Sequence, residues 1–133
     1  MKQKIQKKVP GISDAEMEVM QIIWKKGEPV TSTELQTVLE ASGKEWKINT
    51  ILTFLARLTE KGILSAERKG RSNQYTALIS EEEYKHYETL SFLNTVHGGS
   101  VKNFMAALFD GDELSREDIS ELREWFEEER NRS

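Results

Sequence analysis

The sequence has 133 residues, no cysteine, 32% charged residues and a formal net charge of −4 at pH 7. That length suits one compact domain, or one small domain with an appendage, and the lack of cysteine excludes a disulfide scaffold, a zinc ribbon and a thiolate nucleophile. No apolar run approaches eighteen residues and the N-terminus lacks the apolar stretch of a signal peptide, so we expect a cytoplasmic protein without direct membrane binding.

The charge is distributed unevenly along the chain. Residues 1–75 carry a net charge of +4, whereas residues 76–133 carry −8. A basic segment followed by an acidic one indicates a basic working domain joined to an acidic part with a different task, and the placement of the charges decides what the basic domain binds. The overall acidity, which alone would argue against nucleic acid as a partner, therefore does not describe the first half.

Three helices are predicted in the first half. A first helix runs over about 14–26, because Ser13 and Glu16 form a capping box and Gly27 ends the apolar pattern. A second, short helix follows the capping box that begins at Thr31. In a third helix, over about 49–61, apolar residues recur at spacings of three and four. Its opposite face is small and polar and carries Asn49, Thr53, Ala56 and Arg57.

Two strand-like segments, 63–68 and 73–78, enclose a basic turn and predict a β-hairpin. Three helices followed by a hairpin predict a winged helix-turn-helix domain over residues 12–78, preceded by a flexible basic arm over 1–11. A helix with short polar side chains can enter the major groove of DNA, and cations on the hairpin can neutralise flanking phosphates. The cations are Arg68, Lys69 and Arg71 on the hairpin and Lys2, Lys4, Lys7 and Lys8 on the arm.

Residues 79–133 are predicted to be helical, so the fold class is mainly α with a small β-hairpin. Helices begin near Ser80, Ser100 and Ser115, and glycines separate them. Their apolar stripes need a partner surface, and pairing with a second copy in a helical dimerisation domain matches a palindromic DNA site; folding back on the winged domain is the alternative. The candidate dimerisation residues are Tyr84, Tyr87, Leu90, Phe92, Leu93, Val101, Phe104, Met105, Leu108, Ile119, Leu122, Trp125 and Phe126.

Motifs for catalysis and cofactors are missing from the sequence. His86 and His97 are too few for a transition-metal site of ordinary ligation, so we expect no metal. There is no glycine-rich phosphate loop, and the glutamate runs have no partnered base or nucleophile. We therefore expect neither a cofactor nor an enzymatic activity.

Two longer motifs carry a resemblance to a known family. Residues 12–20 (ISDAEMEVM) with Trp24, and residues 46–58 (WKINTILTFLARL) with Lys61 and Gly62, resemble the penicillinase-repressor family, BlaI/MecI/CopY. The resemblance extends over about 11–128. It implies a dimeric bacterial repressor whose winged helix binds an inverted-repeat operator and whose C-terminal helices form the dimer.

The resemblance also implies operator contacts from the third helix. Three matching positions are occupied by Thr50, Thr53 and Arg57. Asn49 and Leu52 stand where many relatives carry a basic residue, which implies that other bases are recognised, since leucine offers only an apolar contact such as that with a thymine methyl group. The full set of candidate DNA-binding residues is Lys47, Asn49, Thr50, Leu52, Thr53, Arg57, Arg68, Lys69 and Arg71.

The family's inducing signals match this chain incompletely. In the β-lactam branch, a membrane sensor-protease triggers cleavage of the repressor at an Asn-Phe bond in the fifth helix. The matching pair here is Ala107-Leu108, and an Asn-Phe pair occurs four residues earlier at Asn103-Phe104. In the copper branch, paired cysteines bind metal, and this chain has none. The inducing signal, the operator and the regulated genes stay open.

Repression by operator occlusion is the function that these observations favour. One alternative is a regulator gated by a small molecule bound between the winged domain and the dimerisation helices. The other is a winged helix that serves as a protein-interaction module without binding DNA. The polar hairpin and third helix favour DNA, whereas the large apolar Leu52 favours the interaction module.

Overall fold

The computed structural model describes residues 11–132. The predicted basic arm lies outside the described residues apart from Gly11. The mainly helical fold with a two-stranded hairpin is confirmed. Its elements are α1 (Asp14–Lys26), α2 (Ser32–Ala41), α3 (Ile48–Glu60), β1 (Leu64–Lys69), β2 (Ser72–Ala77), α4 (Glu81–His97), α5 (Val101–Asp110) and α6 (Arg116–Arg132).

Both predicted capping boxes are formed. At α1, the Ser13 hydroxyl accepts a hydrogen bond from the Glu16 amide (3.2 Å), and the Glu16 carboxylate accepts one from the Ser13 amide (2.8 Å). Thr31 and Glu34 make the same reciprocal pair at α2. Gly27 ends α1 in the left-handed conformation (φ 73°), which a glycine adopts without a steric penalty. Local sequence signals therefore set the start of α1 and α2 and the end of α1.

Apolar side chains from α1, α2, α3 and the hairpin form one core. Helix α3 contributes Ile51, Leu55 and Leu58, all of them fully buried. The spacing that predicted α3 therefore marks its buried face, and the polar face is left at the surface. The other core residues are Val19, Met20, Ile23, Val30, Leu35, Leu39, Ile63, Leu64 and Tyr75.

The hairpin is extended by a contact that the sequence did not predict. Strands β1 and β2 pair antiparallel in a register that runs from Leu64 opposite Ala77 to Lys69 opposite Ser72. Val30, between α1 and α2, forms a bridge with Tyr75: each amide donates to the other's carbonyl, at 3.0 and 2.8 Å. This bridge ties the hairpin to the helices and so holds it beside α3.

An ion pair between a buried carboxylate and a half-buried lysine connects the beginning of α1 with the end of α3. The Lys61 ammonium group lies 2.7 Å from the carboxylate of Glu16, which is 2% exposed, and 3.1 Å from the carbonyl of Gly11. Burial raises the pKa of Glu16, but the hydrogen bonds from Lys61 and from the Ser13 amide outweigh it and hold the pKa below its usual value. Glu16 is therefore both a cap of α1 and the partner of the lysine that follows α3.

The chain divides into two compact units within α4. The winged unit extends to Glu88, and the C-terminal unit begins at Thr89. The functional boundary at residues 78/79 stays a prediction. Among the residues described, no helix is long and apolar enough to cross a bilayer, and no cluster of three or more His, Asp or Glu side chains is arranged to hold a metal ion.

Tyr84 corrects one of the predicted dimerisation residues. Its side chain is only 2% exposed, its ring lies 5.9 Å from that of Trp24, and its hydroxyl accepts a hydrogen bond from the Ile12 amide (2.9 Å). The Trp24 indole in turn donates to the carbonyl of Ile79 (2.9 Å). Tyr84 therefore anchors the first turn of α4 to the winged unit and offers no surface to a second copy.

The C-terminal unit lacks a comparable core. No residue of α5 or α6 as far as Arg132 is buried, and Val101, Phe109, Trp125 and Phe126 are among the most exposed large apolar side chains. A groove between α5 and α6 is lined by apolar and acidic side chains. Its apolar part consists of Phe104, Met105, Leu108, Leu114, Leu122 and Trp125.

Candidate nucleic-acid interface

The polar face of α3 is exposed along its length. Every candidate DNA-binding residue of this region is exposed, from Lys47, which precedes the first turn, to Arg57 in the last turn. Residues at spacings of three and four share one side of a helix, so the exposed face is continuous along the helix. Its members between those two cations are Asn49, Thr50, Leu52, Thr53 and Ala56.

A groove lies between this face and the hairpin. Its lining from α3 consists of Thr53, Ala56, Arg57, Thr59 and the acidic Glu60, and its lining from β1 and β2 consists of Ala66, Asn73 and Tyr75. The structure thus brings the second half of the recognition face next to the wing. A ligand that covers the exposed face of α3 would meet the hairpin at the same time.

Asn73 and Ala66 are site residues that the sequence reasoning missed. Asn73 pairs with Arg68 across the hairpin, and Ala66 pairs with Tyr75. Alternate residues of a strand share a face. Arg68 therefore lies on the same side of β1 as Ala66, which is the side that lines the groove. The alternation along the two strands was the signal that could have identified Asn73.

The cations of this surface differ in their partners. Arg68 donates from Nε to the carbonyl of Gly70 (3.0 Å), and the Lys69 ammonium group lies 4.0 Å from the Glu67 carboxylate. Within residues 11–132, by contrast, no ion pair is formed by the exposed side chains of Lys47, Arg57 and Arg71. These three charges are accordingly available to an external anion.

Thr53 has a constrained hydroxyl group. Its Oγ1 donates a hydrogen bond to the backbone carbonyl of Asn49 (2.9 Å). A hydroxyl has one proton to donate, so toward a ligand Thr53 presents its methyl group and an acceptor oxygen. This restricts the groups that the centre of α3 can recognise.

Three helices, a hairpin held beside the third helix and an exposed polar face on that helix define a winged-helix DNA-binding domain. The comparison with solved structures agrees. The solution structure of the DNA binding domain of the repressor BlaI aligns with 59% of this chain and 94% of that domain, with a TM-score of 0.51 and 42% sequence identity.

The sequence comparisons identify the family. Residues 12–128 match the penicillinase repressor family. The chain is 39% identical over 126 residues to the penicillinase repressor of Bacillus licheniformis, covering 95% of this chain and 97% of that protein. It is 31% identical over 112 residues to the methicillin resistance regulatory protein MecI of Staphylococcus aureus, covering 84% and 89%. The chain belongs to the penicillinase repressor family, which confirms the resemblance seen in the sequence.

Proposed function

We propose that this chain is a DNA-binding transcriptional repressor that acts in the cytoplasm as a homodimer on a palindromic operator. The observation that carries the proposal is the exposed face of α3 beside the hairpin, with Lys47, Arg57 and Arg71 free of ion pairs within the described residues 11–132. Membership of a family of repressors supports it. The bound dimer represses by occupying the site that RNA polymerase needs.

The two parts of the surface have different tasks in this proposal. Helix α3 enters the major groove, where Asn49 and its neighbours contact the edges of bases. The hairpin cations neutralise phosphates, which positions the domain but carries no sequence information. Specificity therefore depends on α3, whereas salt-sensitive affinity depends on the cations.

The C-terminal unit supports the homodimer. Large apolar side chains remain at the surface of α5 and α6, including Trp125 and Phe126, and an exposed apolar patch of this kind marks an interaction site. A two-fold pairing with a second copy covers it and presents two α3 helices to half-sites about 34 Å apart, one turn of DNA. Tyr84 has no part in that pairing because it is buried in the winged unit.

Arg57→Ala tests the DNA surface. We expect it to abolish the gel shift of a duplex from the promoter flanking the chain's own gene, and to leave the dimer intact in sedimentation. Lys25→Ala is the matched control, since it removes one exposed charge that lies on α1 and not on α3 or the hairpin. Binding that survives Arg57→Ala and Thr53→Ala alike would refute the assignment of α3.

Arg71→Ala separates the wing from α3. Since a phosphate contact does not depend on sequence, we expect affinity to fall to a similar extent for the promoter duplex and for random duplexes. The slope of log affinity against log salt should decrease by about one unit. A change restricted to one sequence would mean that Arg71 contacts a base.

Release of the repressor by cleavage in α5, with a membrane sensor-protease as partner, is the second part of the proposal. The Asn103-Phe104 bond lies in the first turn of α5, where the Asn103 side chain approaches His97 Nδ1 (2.6 Å) and the Ser100 hydroxyl caps the Asn103 amide. The Ala107-Leu108 bond lies further along the same helix. Both bonds are therefore candidates for the cleavage.

Intact-mass analysis after coexpression with the sensor-protease tests this step. A fragment that ends at residue 103 or at residue 107 identifies the bond. Replacing Phe104 with Ala should protect the first bond and leave the second unchanged. An uncut chain under inducing conditions would contradict proteolytic release.

A further inference from the structure

The recognition face of α3 contains one large apolar side chain. Leu52 is 39% exposed, whereas Leu55 in the same helix is fully buried. A single exposed leucine on a protein surface is ordinary. This one, however, lies on the face that the proposed function assigns to the major groove, where an apolar side chain has a specific chemical counterpart.

The neighbours of Leu52 make the centre of this face apolar and uncharged. Ala56 follows one helical turn later, and Thr53 presents a methyl group because its hydroxyl donates to the Asn49 carbonyl. No charged residue occurs between Lys47 and Arg57. The arginine or lysine that most often recognises guanine is therefore missing from the middle of α3.

The major groove offers one apolar group, the 5-methyl group of thymine. Asn49, one turn before Leu52, carries the side-chain amide that can pair with adenine through two hydrogen bonds. The interval from Asn49 to Ala56 rises about 10 Å along the helix, the length of about three base-pair steps. The face therefore has the composition and length to recognise a short run of A·T pairs.

We propose that Leu52 determines specificity by contacting the 5-methyl group of a thymine in each half-site, with Asn49 directed to an adenine beside it. The inference rests on the proposed DNA-binding function and specifies part of the DNA sequence that is recognised. A·T pairs occupy the bases under the centre of α3, and the contact adds affinity only where a methyl group is present.

Deoxyuridine provides the test, because it pairs like thymine and lacks only the methyl group. The full chain first selects a duplex from a randomised pool. That duplex is then remade as a series in which each member carries deoxyuridine in place of one thymine, until every thymine of both half-sites has been replaced once. Burial of one methyl group corresponds to about a fourfold change in affinity. We expect about that loss at one thymine position per half-site for the unchanged protein.

Leu52→Ala should bind the thymine duplex more weakly and show no further loss with deoxyuridine at that position. Since Leu52 is exposed, urea unfolding of this variant should match that of the unchanged protein. Val38→Ala is the control: Val38 is also exposed and apolar but lies on α2, so this variant should keep the fourfold loss.

Two results would overturn the inference, and they differ in whether the proposed DNA-binding function is also contradicted. If the selected duplex is bound but deoxyuridine has no effect, or has the same effect on Leu52→Ala, Leu52 does not contact a thymine methyl and the DNA-binding function stands. If the chain enriches no sequence from the pool and binds no duplex, both the inference and the proposed function fall.

Discussion

The winged unit and the C-terminal unit use the same kind of amphipathic helix with different results. In the winged unit, the apolar faces of α1, α2 and α3 meet one another and the hairpin, and thirteen apolar side chains are buried among its described residues 11–88, Tyr84 of α4 included. In α5 and α6 none of the described residues is buried. The two units differ in whether the apolar face of each helix is covered by other side chains of the same unit.

That difference separates two sources of stability. The apolar core side chains of the winged unit are buried against one another, so the fold of this unit does not require a partner surface. Short helices without a core are marginal in water, and most of their stability comes from packing of an amphipathic face. The proposed dimer supplies that packing, so the C-terminal unit is expected to be stable only as part of a pair.

The largest expected effect comes from separating the units. A fragment of residues 11–88 should unfold in one cooperative transition whose midpoint does not depend on protein concentration. A fragment of residues 89–133 should lose most of its helical circular dichroism on dilution, because its partner dissociates. Concentration-independent helicity of the second fragment would contradict the comparison.

Leu55→Ala tests the core of the winged unit. We expect a loss of about 2–5 kcal/mol in the free energy of unfolding, measured by urea titration, because the truncation leaves a cavity among buried side chains. Leu52→Ala is the matched control, since the same residue type on the same helix is 39% exposed. Its effect should stay within about 0.5 kcal/mol.

Trp125→Ala tests the surface of the C-terminal unit. Trp125 is exposed and lines the groove between α5 and α6, and truncation of a central aromatic residue in an interface costs about 2 kcal/mol or more. The dimer dissociation constant should rise about thirtyfold in analytical ultracentrifugation. Arg123→Ala is the control, since Arg123 is exposed on the same helix but is not among the groove residues, and an unchanged dimer with Trp125→Ala would place the interface elsewhere.

The substitution Glu16→Gln is expected to have the smallest effect on the free energy of unfolding, and this effect depends on pH. A carboxylate whose pKa is lower in the folded protein stabilises it above the ordinary value of 4.5, and this stabilisation is lost as the pH falls through the lower folded value. At neutral pH we expect the variant to lose about 1 kcal/mol of unfolding free energy, because the amide oxygen of glutamine still accepts a hydrogen bond but carries no charge. The difference from the unchanged protein should shrink in urea titrations below pH 4.5, and a constant difference would contradict this account.

Much of the winged unit was predictable because its signals are local. Capping boxes at Ser13 and Thr31 begin two helices, and the spacing of Ile51, Leu55 and Leu58 identifies the buried face of the third. The exposed candidates for DNA contact follow from that face by exclusion. Each signal involves residues at most a few positions apart, where backbone geometry relates sequence to structure directly.

The error at Tyr84 has a physical reason. The spacing of apolar residues in α4 identifies a face of the helix but not the surface against which that face packs. The partners of Tyr84 are Ile12 and Trp24, which lie near the beginning of the described sequence. The Val30–Tyr75 bridge and the Glu16–Lys61 ion pair were missed for the same reason. All of these contacts join residues that are far apart in the sequence.

The helices, the hairpin, their order and the polar face of α3 follow from local sequence signals, because helix caps, turns and apolar periodicity act over a few residues. Tertiary packing determines which apolar faces are covered, where the hairpin lies beside α3 and which cations form no ion pair within residues 11–132. Those properties depend on contacts between residues separated by as many as 72 positions. Contacts of that kind form only when the packed elements bring their side chains together.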